Sequence, residues 1–119
     1  FKMKFENLDV WKRSATLAIA IFQHFKSSRE YCLKDQIKRS SLSISSNIAE
    51  GYERMSSKDC VRFLYYAKGS CGELRSQLYI SLQVGEVSTE LANKWIIETQ
   101  ELSMMLAGLI RAINNANQR

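Results

Sequence analysis

The chain has 119 residues, 45% of them apolar and 24% charged, which is the composition of one soluble globular domain and leaves little for a second. Its longest apolar run, Leu17 to Phe22, stops at Gln23 and His24, far short of the roughly 20 residues a membrane span requires. A net charge of +5, with fourteen basic and eight acidic side chains in residues 1–84 and three and four in the remainder, favours polyanions as partners.

Met3 is the first residue that could start a natural chain, so Phe1 and Lys2 read as context residues. No charged-then-apolar leader with a cleavage site follows, and the expected location is cytoplasmic. Proline is absent and glycine occurs five times, which points to long helices. Leu8, Trp11, Ala15, Ala18, Phe22 and Phe25 step by three and four, with Leu17 and Ile21 widening the face, and predict a helix over 8–26 capped by Asn7. Ser27 and Glu30 have capping-box spacing ahead of a second helix over 31–54. Its stripe is Leu33, Ile37, Ser41, Ile44, Ile48 and Tyr52, broadened by Leu42 and Ala49 and weakened at Gly51. The serine-rich run Ser40 to Ser46 keeps this spacing, and its small side chains predict close packing on a neighbouring helix rather than a loop.

Ser56 and Asp59 form a capping pattern for a third helix over 57–84, in which Cys60, Leu64, Ala67, Cys71, Leu74 and Leu78 repeat by four and three. Gly69 and Gly72 inside it imply a close approach to the backbone, and Gly85 ends it. Ser88 caps a fourth helix over 88–114 with two stripes: Leu91, Trp95, Leu102, Met105 and Leu109, then Ile96, Leu106, Ile110 and Ile113. The expectation is a single all-α domain over 1–119, an antiparallel up-down-up-down four-helix bundle. Tyr65, Tyr66, Tyr79, Ile80 and Ile97 lie off the stripes, a surplus that predicts a homo-oligomer.

No constellation for catalysis emerges. Glu50 with Glu53 and Glu98 with Glu101 are carboxylate pairs at helical spacing with basic neighbours, as on solvated faces. Cys71, within Lys68-Gly69-Ser70-Cys71-Gly72, occupies a core heptad position, and Cys32, Cys60 and Cys71 lack metal-site spacing. A single histidine, His24, excludes the Glu-x-x-His pairs of di-iron bundles. Neither a metal nor a cofactor is expected, and the chain reads as non-enzymatic. Basic residues are more suggestive. Lys34, Lys38 and Arg39 lie on adjoining turns, Lys58 and Arg62 are an i, i+4 pair, and Lys12 and Arg13 add to the field; such side chains neutralise phosphates.

Four segments carry a resemblance: Phe5-Glu6-Asn7-Leu8-Asp9-Val10-Trp11, Gln36-Ile37-Lys38-Arg39-Ser40, Ser43-Ile44-Ser45-Ser46-Asn47-Ile48-Ala49-Glu50-Gly51, and Gly72-Glu73-Leu74-Arg75-Ser76-Gln77-Leu78. Through them nearly the whole chain resembles the bacterial four-helix-bundle proteins encoded in intervening sequences of large-subunit ribosomal RNA genes. It departs at Ser45, where the family commonly has proline, and at Cys32, where it often has glycine. The resemblance implies a ring-like homopentamer similar to the accessory variability determinant of diversity-generating retroelements, which partners a reverse transcriptase and binds nucleic acid through a basic surface. It implies that Asn47, Glu50 and Gly51 organise the end of helix two and subunit contacts, and that Arg39 and Arg75 serve packing or phosphate contact. The expected function is an oligomeric accessory protein binding RNA or an RNA–DNA hybrid with little sequence choice; the alternative is a protein-interaction scaffold without nucleic acid.

Overall fold

A computed structural model describes residues 3–117, so Phe1 and Lys2 lie outside the described residues. Four helices, α1 (Asp9–Phe25), α2 (Tyr31–Glu53), α3 (Ser57–Gln83) and α4 (Thr89–Asn117), follow a 3-10 turn over Phe5–Asn7. They pack in chain order, α1 on α2, α2 on α3 and α3 on α4, and α1 closes on α4 through the thinnest of the four seams. The resulting bundle measures 50 × 20 × 20 Å.

Its core follows the heptad in α3: Cys60, Leu64, Ala67, Cys71, Leu74 and Leu78 are all fully buried, facing Ile37, Ile44 and Ile48 of α2 and Leu102 and Leu106 of α4. Each large aliphatic side chain so buried contributes about 1.5–3 kcal/mol. In α1 the buried line is Val10, Ser14, Leu17, Ala18, Ile21 and Phe25, rotated from the expected one. Trp11 and Phe22 sit on its flanks, where Phe5 stacks edge-on against Trp11 at 5.2 Å and Lys38 lies over the Phe22 ring at 4.8 Å. Leu42, expected in the α2 stripe, is half exposed, pointing away from both neighbouring cores. The two stripes of α4 merge into one wide buried face, leaving Ile97 and Met104 in solvent.

Helix ends separate two good cap assignments from two poor ones. Ser56 accepts a hydrogen bond from the Asp59 amide at 3.0 Å and Ser88 from the Leu91 amide at 3.2 Å. Asn7 does not cap α1: burial of Leu8 and the Phe5–Trp11 contact draw Asn7 into the preceding turn, one residue too early. Ser27 and Glu30 form no capping box either, because Ser28 accepts from the Glu30 amide and donates to the Glu86 carboxylate, tying the α1–α2 connection to the α3–α4 loop. After α3, Gly85 adopts φ +80, and the amides of Gly85 and Glu86 return to the Leu82 and Ser81 carbonyls, the paired bonds of a Schellman motif.

The serine run is helical and packs closely. Ser40, Ser41 and Ser45 are buried, Ser40 donates to the Gln77 side chain, and Ser43 shares a hydrogen bond with Ser70 of α3 at 2.9 Å. Asn47 extends this link by donating to the Ser43 carbonyl and hydroxyl, both at 2.9 Å. Ser41 and Ser45 satisfy their hydroxyls on the Lys38 and Leu42 carbonyls. The glycine expectation is corrected: nothing approaches Gly69, and only the Arg75 guanidinium nears Gly72. The close approach is at Gly51 instead, within α2.

Candidate nucleic-acid interface

Electrostatics sorts the basic residues into two groups. Among the described residues, only Arg13, Arg54 and Arg62 have a carboxylate within ion-pair distance. Arg13, on α1, reaches across the thin seam to α4, where its Nε donates to Glu98 at 3.0 Å and its Nη2 to Glu101 at 2.6 Å. Hydrogen bonds to Glu98 first and Glu101 second push its already high pKa further up. Arg13 is therefore a strap between helices, its guanidinium already engaged by two carboxylates. The same bonds account for Glu98 and Glu101, as Arg54 accounts for Glu50 at 2.9 Å.

Arg62 pairs with Asp59 at 3.1 Å, and the Phe63 ring lies between Arg62 and Arg54 at 5.0 and 4.8 Å. This stack fastens the α2–α3 corner. Lys58 is exposed one turn before Arg62, and Lys12 is exposed on α1 beside the strapped Arg13. At the other end of the bundle, Lys34 donates to the Lys26 carbonyl at 3.0 Å and Lys38 lies on Phe22, while Arg39, about 100° round the helix from Lys38, is exposed on another side. The candidates named from sequence thus fall at both ends of α2, whose 23 residues span about 34 Å, and do not form one patch.

One site brings cations together in a concave surface. A solvent-open groove of about 450 Å³ between α3 and α4 is lined by Lys68, Arg75, Gln100, Ser103, Met104 and Ala107, with no carboxylate among them. Arg75 lies in a resembling segment and was anticipated; Lys68 lies outside all four and carries no local signal beyond its charge. That thiol lies beneath both cations, yet burial outweighs them and pushes its pKa up to about 12, so it stays protonated. His24, the sole histidine, is exposed and its Nε2 bonds the Glu86 carbonyl at 2.8 Å, a loop contact. No group of three or more His, Cys, Asp or Glu side chains among the described residues is placed to hold a metal ion. No helix of the described residues is long and apolar enough to cross a membrane.

Comparison with solved structures shows the same fold in a protein of unknown function from the S23 ribosomal protein family of Bacteroides thetaiotaomicron. The two share 23% identity and superpose with a TM-score of 0.79 over 85% of this chain and 97% of the other. No curated protein matches. Residues 6–108 match the 23S rRNA-intervening sequence protein family, a span holding all four resembling segments apart from Phe5, and the chain therefore belongs to that family.

Proposed function

We propose that the chain is a non-enzymatic, oligomeric accessory protein that gathers RNA or an RNA–DNA hybrid by neutralising phosphates, with little choice of sequence. The observation that carries this reading is a set of cations left without carboxylates: Lys12, Lys34, Lys38, Arg39, Lys58, Lys68 and Arg75 have none within 4.0 Å, whereas Arg13, Arg54 and Arg62 are paired with Glu98 and Glu101, Glu50, and Asp59. A family named for 23S rRNA supports the same class of partner. Assembly is supported by large apolar side chains left half or more exposed, including Tyr31, Leu42, Ile80 and Ile97. We take the assembly to be the ring-like homopentamer that the resemblance implies, in which a weak site repeated five times binds avidly. A reverse transcriptase or another protein would complete such an accessory role, as in the related retroelement determinant.

The test is fluorescence anisotropy of labelled single-stranded RNA, duplex DNA and an RNA–DNA hybrid with nuclease-treated protein, from about 50 to 200 mM salt. Binding that falls steeply with salt is expected, with a native mass by light scattering of a pentamer. Absence of binding at the low-salt end would overturn the reading. The second reading, a protein-interaction scaffold, is favoured by the exposed tyrosines; a salt-resistant protein partner recovered without nucleic acid would establish it.

A further inference from the structure

Five residues of α3 step by three and four along one side of the helix, parallel to its core stripe: Tyr65, Lys68, Gly72, Arg75 and Tyr79. Lys68 and Arg75 form one wall of the α3–α4 groove; Tyr65 and Tyr79, 56% and 51% exposed, stand beyond its two ends. The Arg75 guanidinium folds back along the helix, 4.0 Å from where a Gly72 Cβ would be, and so turns toward Lys68. Both cations line the groove and no carboxylate does, so an anionic occupant meets positive charge and no fixed negative charge there. The opposite wall contributes the Gln100 amide and Ser103 hydroxyl over an apolar floor of Met104 and Ala107.

We infer that this groove is a seat for single-stranded nucleic acid, its phosphates on Lys68 and Arg75 and its bases stacked on Tyr65 and Tyr79. The inference rests on the nucleic-acid reading above and deepens it. Seven residues of helix separate the cations by about 10 Å and fourteen separate the tyrosines by about 21 Å. At about 3.4 Å per stacked nucleotide, three steps lie between the cations and six between the tyrosines. The geometry selects a single strand because stacking needs an unpaired base face, which a duplex hides. A small ligand is disfavoured, since a groove this open cannot bury most of one. A second copy laid face to face is disfavoured by charge, because two such faces would repel.

The experiment measures anisotropy of labelled single-stranded RNA, the same sequence as single-stranded DNA, and its duplex, on the intact chain. Lys68→Glu with Arg75→Glu is expected to weaken single-strand binding at least tenfold and to flatten the log–log salt slope by about 1.4, since each phosphate contact on a single strand is worth about 0.7. Tyr65→Ala with Tyr79→Ala is expected to weaken it about a hundredfold at unchanged slope, whereas Tyr65→Phe with Tyr79→Phe retains binding because the ring faces remain. The RNA and DNA arms separate the two possible sources of the strand.

Three results would overturn the assignment. Wild-type affinity in both groove variants, with binding lost instead on Lys34→Glu and Lys38→Glu, would move the site while leaving the nucleic-acid function standing. A lower native mass in the tyrosine-to-alanine variant would make this face a contact between copies. Failure of the unaltered protein to bind any strand at low salt would remove the site and the function together.

Discussion

A Cβ built on Gly51 would stand 3.0 Å from the Phe63 Cβ and 3.0 Å from the Cys60 carbonyl oxygen, so α2 and α3 meet there with no side chain between them. Neither obstacle is the tip of a flexible side chain. Gly51→Ala gains about 1 kcal/mol of helix propensity but forces two packed helices apart, at about 1–3 kcal/mol. A net loss of up to about 2 kcal/mol is expected in urea unfolding. The loss should be accompanied by weakening of the Arg54–Phe63–Arg62 stack, read as loosened amide exchange at the α2–α3 corner.

Gly69 makes the reverse case. Nothing lies within 4 Å of a Cβ there, and the helix continues on both sides. Gly69→Ala should therefore stabilise the bundle, by up to about 1 kcal/mol. The same substitution reports on assembly: if subunits meet at this stripe, thermal stability at low protein concentration rises while native mass falls. A destabilised monomer would contradict the open space around Gly69.

Arg13 holds the thinnest seam, so its removal should be felt as α1 loosening from α4. Its side chain is 38% exposed, which discounts the charge-assisted bonds to Glu98 and Glu101. Arg13→Ala is expected to cost about 1 kcal/mol and to lower the melting temperature by about 4 °C. Nucleic-acid affinity should stay near the unaltered value, because the guanidinium is already committed to two carboxylates. A tenfold loss of affinity in this variant would return Arg13 to the binding surface.

What the sequence discloses depends on how local the deciding interaction is. The α3 heptad was legible because every one of its apolar positions faces the same core, and the serine run because small residues at helical spacing suit a close crossing. Ser56 and Ser88 were legible as caps because each bonds an amide three residues on. Asn7 and Ser27 carry the same local signal but lose to competing contacts, Asn7 to the neighbouring Phe5–Trp11 pair and Ser27 to the bond of Ser28 with Glu86 across the fold. The turn of α1 about its axis, the merging of the α4 stripes and the close approach at Gly51 likewise depend on partners distant in sequence. In the groove, Arg75 was legible only through the resembling segment Gly72 to Leu78; Lys68, outside every such segment, is placed beside it by Ser103 and Ala107 of α4, which close the other wall.

Alkaline pH tests the core. Burial pushes the Cys71 thiol from its usual 9.0 up to about 12, and the Tyr52 phenol, through burial first and Cys60 second, from 10.0 up to about 12. Both groups are neutral when protonated, and both have folded pKa values above their unfolded ones. Their contribution is therefore complete below about pH 9 and is lost as pH rises toward 12, because the unfolded chain gives up these protons first. Each group lowers stability by about 1.4 kcal/mol per pH unit within its own window. Cys71 acts alone between about pH 9 and 10, and Tyr52 joins it above 10. Urea midpoints of Cys71→Ala should consequently fall less than those of the unaltered chain between pH 9 and 10, whatever their offset at pH 8. Tyr52→Phe should diverge only above pH 10. Parallel curves for Cys71→Ala and the unaltered chain over the first window would mean that the Cys71 thiol ionises as freely in the folded chain as in the unfolded one, which its burial under Lys68 and Arg75 forbids.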